Sequence, residues 1–321
     1  MGRNEIEMST GSVSTPAVSG VARATTIVES PRLSQRLGAK VVIASETFQW
    51  TGSFKFRAAY NVAASVPQKM IITASSGNFG QALAYACSLL KKSCIIVMPA
   101  TSAQVKIDAV REYGGQVELV DVRVKSRAAG VEELAKQHPE AYIASAYDDP
   151  LVIQGNSTLG IELNALAQKP EIVISPTGGG GLISGIIEGL AQAGSSMKVI
   201  GAEPLLGNDA ARSLRAGHIV VNEIESETIA DGARTISLGK HNWEIIRRSL
   251  SHIVEVPEEK IVEAVRLLFI LANLKVEPTG ALSVAAVMTE PERFRGRTVC
   301  CVVSGGNVDP GVYTKIVGAM G

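Results

Sequence analysis

Short apolar runs alternate with longer amphipathic stretches along most of this chain. Residues 40–46 (KVVIASE), 69–76 (KMIITASS), 93–99 (SCIIVMP) and 116–122 (QVELVDV) are compact and rich in β-branched side chains, which predicts strands. Residues 171–176 (EIVISP), 198–204 (KVIGAEP) and 298–307 (TVCCVVSGGN) predict three more. Between them the apolar spacing lengthens to the helical period at 53–66, 77–92, 102–114, 126–138, 182–194, 258–274 and 280–290. Ser53 is the expected cap of the first helix, and Gly114 the left-handed stop of the third. Strands of this kind, separated by helices, form βα units around parallel sheets.

The expected fold class is therefore α/β, with two open, twisted, parallel-type sheets flanked by helices. Residues 69–147 group as a small mobile domain of four strands. Residues 21–68 and 148–321 together build a larger domain, and residues 1–20, rich in Ser, Thr and Gly, read as a disordered leader. Ligands in open α/β sheets lie at the carboxyl ends of strands, so a cleft between the domains is the expected site.

Composition narrows the function. A length of 321 residues suits two domains of roughly 150 residues. The 46% hydrophobic content supplies a core. Lys plus Arg (31) equals Asp plus Glu (31), which argues against nucleic acid or an anionic membrane as partner. No run approaches the ~18 apolar residues of a membrane span. Cys87, Cys94, Cys300 and Cys301 lie in apolar runs without a CxxC, as buried thiols in a reducing compartment do. The N-terminal segment carries acids and no apolar stretch, unlike a secretory signal or transit peptide, so a cytoplasmic location is expected.

Four clusters fall at strand ends or helix starts. Gly178, Gly179, Gly180 and Gly181 follow a strand and open a helix, where backbone N–H groups and the helix dipole suit a phosphate. A plain tight turn reads equally well, and the spacing matches neither a Walker loop nor a dinucleotide fingerprint. In Thr51-Gly52-Ser53-Phe54-Lys55-Phe56-Arg57, Lys55 lies in the first helical turn between two phenylalanines. Helix dipole and apolar neighbours both disfavour its protonated form, as a Schiff-base amine requires. A solvated lysine is the competing reading. Ser75-Ser76-Gly77-Asn78-Phe79-Gly80-Gln81 is a polar turn whose amides could hold a carboxylate, or an ordinary βα turn. Ser304-Gly305-Gly306-Asn307 ends the last strand with a hydroxyl at the same edge, which could equally be a cap.

Taken in order, these segments resemble the fold-type II pyridoxal-phosphate enzymes, whose fold is that of the tryptophan synthase β chain, and within them the threonine/serine dehydratase and serine racemase group. TGSFKFRAA resembles the cofactor-lysine segment, SSGNFGQA the substrate-carboxylate loop and PTGGGG the phosphate cup. EPTGALSVAA and CVVSGGN resemble the two C-terminal signatures. The likeness spans about residues 20–310.

The resemblance implies pyridoxal 5′-phosphate as cofactor and a small amino acid as substrate. Lys55 would hold the cofactor and remove the substrate Cα proton. Gly178–Gly181 would hold the phosphate, Asn78 the phenolic oxygen and Ser304 the pyridine nitrogen. Phe54 would pack beside the ring, and Gly232 would line the pocket. Ser75, Ser76 and Gln81 would clamp the substrate carboxylate. Ser76 would also be the second proton carrier of a racemase. Glu203, the Gly207 carbonyl and Asp209 match the family's loop for Mg²⁺ or Ca²⁺, where oxygen ligands suit a hard cation. The same residues could be an ordinary helix cap and a solvated acid. The implied reaction is dehydration of a β-hydroxy amino acid of serine, threonine or 3-hydroxyaspartate type to a 2-oxo acid and ammonia, by a homodimer. A serine- or aspartate-type racemase is the alternative, and a β-replacement synthase a weaker one.

Three positions depart from the family pattern: Ala58-Ala59 after Arg57, Phe79 in place of a histidine, and Asn156-Ser157 in place of Gln-Gly. Phe79 is expected to make the substrate pocket more apolar. Asn156-Ser157 is expected to abut the substrate.

Overall fold

The computed structural model describes residues 15–75, 77–102 and 104–318. Among the described residues there are ten strands: β1 (Thr26–Glu29), β2 (Lys40–Ser45), β3 (Met70–Ala74), β4 (Ser93–Pro99), β5 (Gln116–Val120), β6 (Tyr142–Ala144), β7 (Ile172–Pro176), β8 (Lys198–Pro204), β9 (Ile253–Val256) and β10 (Thr298–Val303). They form a six-stranded sheet in the order β1-β2-β10-β7-β8-β9 and a four-stranded sheet in the order β5-β4-β3-β6. Every pairing is parallel except β1 with β2. The α/β class with two parallel-type sheets is thus the observed one.

The central strand shows why the sequence pattern is legible. β10 (TVCCVV) is buried from its second residue to its last. Val299, Cys301 and Val303 enter the core shared with Ile43 and Ile174. Cys300 and Val302 enter the opposite core with Ala44 and Val173. A strand covered on both faces needs apolar residues at both parities, which reads as a continuous run. All four cysteines are free and buried.

Several elements carry weaker signals. β6 is only three residues long, and β1 alternates between partly buried and exposed positions. The helix Pro150–Asn164 (PLVIQGNSTLGIELN) holds residues that favour turns in isolation. It forms because it packs closely on the helix Gly181–Gln192. A Cβ on Gly189 would lie 2.0 Å from the Ser157 carbonyl oxygen, and one on Gly160 2.4 Å from that of Ile186.

The helix expected at 53–66 begins later, at Lys55, and Ser53 does not cap it. Ser53 is extended and bridges Gly305, with its hydroxyl buried and unpartnered. Gly114 has the left-handed φ of +85° expected of a helix stop. Of the 1–20 leader, residues 1–14 lie outside the described residues, and Val18 is fully buried. Among the described residues no helix is long and apolar enough to cross a membrane.

Candidate active site

Parallel pairing of β2, β10 and β7 puts their carboxyl ends on one edge. Two chain segments, 51–54 and 304–307, meet there. The Phe54 amide donates to the Ser304 carbonyl at 3.0 Å, and Gly306 N to Gly52 O at 3.0 Å. Asn307 Nδ2 donates to the Thr51 carbonyl at 2.7 Å. Thr51 has φ +60° and Gly52 φ +73°. A β-branched residue in that region is strained, and such strain survives only where its surroundings fix it. This bent turn aims the start of the next helix at the cleft.

Lys55 is the first residue of that helix. Its Nζ donates to the Ala146 carbonyl at 2.7 Å and stands 5.0 Å from the Phe54 ring and 5.7 Å from the Phe79 ring. Burial lowers its pKa from 10.5 to about 8, partly offset by the negative charge of Glu277. The amine is therefore available unprotonated near neutrality, as a nucleophile or base must be.

Asn78, at the start of the helix Asn78–Leu89, meets Glu277, at the start of the helix Pro278–Thr289. Asn78 Nδ2 donates to both Glu277 oxygens, at 2.9 and 3.1 Å. Asn78 Oδ1 accepts from Asn307 Nδ2 at 2.9 Å and Gln81 Nε2 at 3.3 Å. The Ser75 hydroxyl accepts from Gly80 N at 2.9 Å, so its lone pairs serve its own turn. Ser76 lies outside the described residues.

The glycine segment leaves β7 and opens the helix Gly181–Gln192. Gly178 and Gly180 have φ of +49° and +96°. The Gly178 and Gly179 amides have no acceptor among the described residues. A Cβ on Gly179 would lie 2.3 Å from the Tyr147 ring. Asn242 Nδ2 pins the Gly179 carbonyl at 2.8 Å. Gly232, in the short turn Asp231–Ala233, donates to Thr279 Oγ1 at 2.9 Å beside Gly178. Ser304 is 1% exposed and its hydroxyl has no partner.

These features fit a phosphorylated aldehyde with an aromatic ring. Free amides at a helix N-terminus suit the phosphate, the depressed Lys55 amine suits the aldehyde, and the orphaned Ser304 hydroxyl suits a ring heteroatom. A buried hydroxyl without a partner costs about 1–3 kcal/mol, so a ligand that satisfies it binds the tighter.

Asn156 and Ser157 are both fully buried, and Asn156 Nδ2 donates to the Gly181 carbonyl at 3.0 Å. They brace the helix that carries the glycine turn. Phe79 is 2% exposed and sits in the core beside Lys55.

The 203–209 loop lies at the end of β8. Both Glu203 oxygens accept helix amides, from Ala211 at 2.6 Å and Ala210 at 3.3 Å. Asp209 Oδ1 accepts from Asn222 at 3.1 Å, while its buried Oδ2 has no partner. Burial drives the Glu203 pKa well up and the Asp209 pKa to about 6. Among the described residues no cluster of three or more His, Cys, Asp or Glu is placed to hold a metal. The loop offers two carboxylates and the carbonyl of the buried Gly207.

Glu277, Tyr147, Ala146 and Asn307 went unassigned in the sequence. Glu277 opens the EPTGALSVAA signature, and an acid ahead of Pro at a helix start was its available signal. Ala146 acts through its backbone and carries none.

Residues 18–305 match the family described as pyridoxal-phosphate dependent enzyme. The chain is 36% identical to an L-threo-3-hydroxyaspartate ammonia-lyase of Pseudomonas sp, over 93% of its own length and 94% of the relative's. It is 32% identical to a serine racemase of Schizosaccharomyces pombe, over 90% of each. The crystal structure of a threonine deaminase from T.th. superposes with a TM-score of 0.86 at 37% identity, over 91% of this chain and 95% of that one.

Proposed function

This chain belongs to the pyridoxal-phosphate-dependent enzyme family, and on that premise we propose that it is an ammonia-lyase that dehydrates a β-hydroxy amino acid, of 3-hydroxyaspartate type, to a 2-oxo acid and ammonia. The observation that carries the reading is Lys55: an amine with a pKa of about 8 between two aromatic rings, at the meeting point of the glycine turn, the Asn78 turn and Ser304. The 3-hydroxyaspartate preference is supported by the similarity to the Pseudomonas relative.

When bound, pyridoxal phosphate supplies a carbonyl that an amine can capture and a ring system that spreads the charge left at Cα. Gly178–Gly181 hold its phosphate by backbone amides. Ser304 meets the ring nitrogen, Asn78 the ring oxygen, and Phe54 and Gly232 line the pocket. Lys55 holds the cofactor and takes the Cα proton at Nζ. Phe54 and Phe79 keep water from that amine and keep its pKa within reach of neutrality. Gln81 and the 75–76 hydroxyls take the substrate carboxylate. A racemase would use Ser76 as its second proton carrier.

Glu203, the Gly207 carbonyl and Asp209 hold Mg²⁺ or Ca²⁺; the unpartnered Asp209 Oδ2 and the raised pKa of both buried acids support this. Residues 69–147 act as a small mobile domain; its support is that β3, β4, β5 and β6, all within these residues, form a sheet of their own. Exposed Leu205, Leu206, Val221 and Ile224 support a homodimer.

The test is 2-oxo acid release by cofactor-loaded protein with Mg²⁺, across the stereoisomers of serine, threonine and 3-hydroxyaspartate. Release from a hydroxyaspartate, lost by at least about 10³-fold in Lys55→Ala, is expected. Silence across the panel, with inversion of an amino acid instead, would replace this reading by the racemase one.

A further inference from the structure

Glu277 is 4% exposed, and among the described residues no Lys, Arg or His comes within ion-pair distance of it. A carboxylate is rarely buried without a counter-ion, because desolvation favours its neutral form. The fold nevertheless clamps this one in place. Its backbone N donates to the Gly305 carbonyl at 3.2 Å, and a Cβ on Gly305 would lie 2.7 Å from its Oε1. Its oxygens take the Asn78 amide at 2.9 and 3.1 Å. Asn307 and Gln81 both donate to Asn78 Oδ1, which fixes the orientation of that amide.

We propose that Glu277 is a positioning residue: clamped between Gly305 and Asn78, its carboxylate fixes the Asn78 amide in place at the cleft. The inference rests on the proposed function, in which Asn78 meets the ring oxygen. Burial first, then Asp231 from the turn Asp231–Ala233, raise the Glu277 pKa to about 7, while the Asn78 hydrogen bond and the charges of Lys106, from the helix Gln104–Glu112, and Lys55, from the helix Lys55–Ser65, oppose that rise.

Glu277→Gln and Glu277→Ala test this, since glutamine keeps one acceptor for the Asn78 amide and alanine keeps none. In Glu277→Ala the Kd of pyridoxal phosphate, read from the absorbance of the bound cofactor, is expected to rise about tenfold, and in Glu277→Gln less than about threefold. In the loaded enzyme KM is expected to follow the same order. Equal cofactor affinity in the wild type and Glu277→Ala, with only thermal stability lost, would overturn the proposal. Failure of the proposed function is separate: the chain would then turn over none of the panel, while cofactor affinity would still report the positioning of Asn78.

Discussion

Lys55, half-buried, and Arg57, fully buried, are two cations two residues apart on one helix, and the protein uses them in opposite ways. Arg57 is fully buried and saturated. Its Nε meets Glu46 at 2.8 Å and its Nη1 meets Glu162 at 2.6 Å. Thr158, Thr25 and the Arg23 carbonyl take further donors. Although desolvation opposes its charge, Glu46 and Glu162 push its pKa up, so its charge is permanent. Lys55 has one neutral acceptor and two aromatic rings, and its pKa falls to about 8. Burial alone does not make a lysine reactive; burial without an adjacent counter-charge does. Arg57 ties the segment around Thr25, the end of β2 and the helix Pro150–Asn164 to the helix that carries Lys55. It fixes the frame against which the labile amine is aimed.

Breaking the saturated half has the largest expected effect. Arg57→Met leaves Glu46 buried without its partner and should cost about 3–5 kcal/mol in denaturant unfolding. Adding Glu46→Gln should recover part of that loss. Unchanged stability in Arg57→Met would mean that the network is not structural.

The 203–209 loop sharpens the contrast, because it is the mirror case: buried acids without a cation. Both acids have pKa values raised in the fold, Asp209 from 3.8 to about 6, so stability falls as pH rises from the ordinary carboxylate range to those values and the loss is complete above them. A divalent ion bound there would relieve that cost. Mg²⁺ or Ca²⁺ should therefore raise Tm more at pH 8 than at pH 5, by the equivalent of about 2.7 kcal/mol at a hundredfold excess over Kd. An Asp209→Asn variant should lose the response. Equal gains at both pH values would count against the site.

The smallest effect concerns Lys55 itself. Its folded pKa lies below 10.5, so the cost of the buried ammonium is fully present below about pH 8 and fades as pH rises toward 10.5. Lys55→Met should thus stabilise the cofactor-free chain by about 1 kcal/mol at pH 7 and by nothing near pH 10.5. A destabilising effect at pH 7 would show that the Ala146 hydrogen bond outweighs desolvation.

The sequence alone determined the central strands, since β3, β4, β7, β8 and β10 are buried on both faces over most of their length and so read as short, mostly apolar runs. It also determined the composition of the glycine turn, the Lys55 helix start and the 75–81 turn, because each is a contiguous run whose residue types restrict local geometry. The helix Pro150–Asn164 was not legible, since glycine-mediated contact with a distant helix overrides its local propensities. The contact of Asn78 with Glu277 was decided only by the tertiary structure, across a separation of 199 residues. So was the difference between Lys55 and Arg57. Nothing in the string FKFR says which cation has its acids nearby; Glu46 and Glu162 lie 11 and 105 residues from Arg57 in the chain. Proton affinity depends on solvent exclusion and on the distance to opposite charge, and both exist only once the chain has folded.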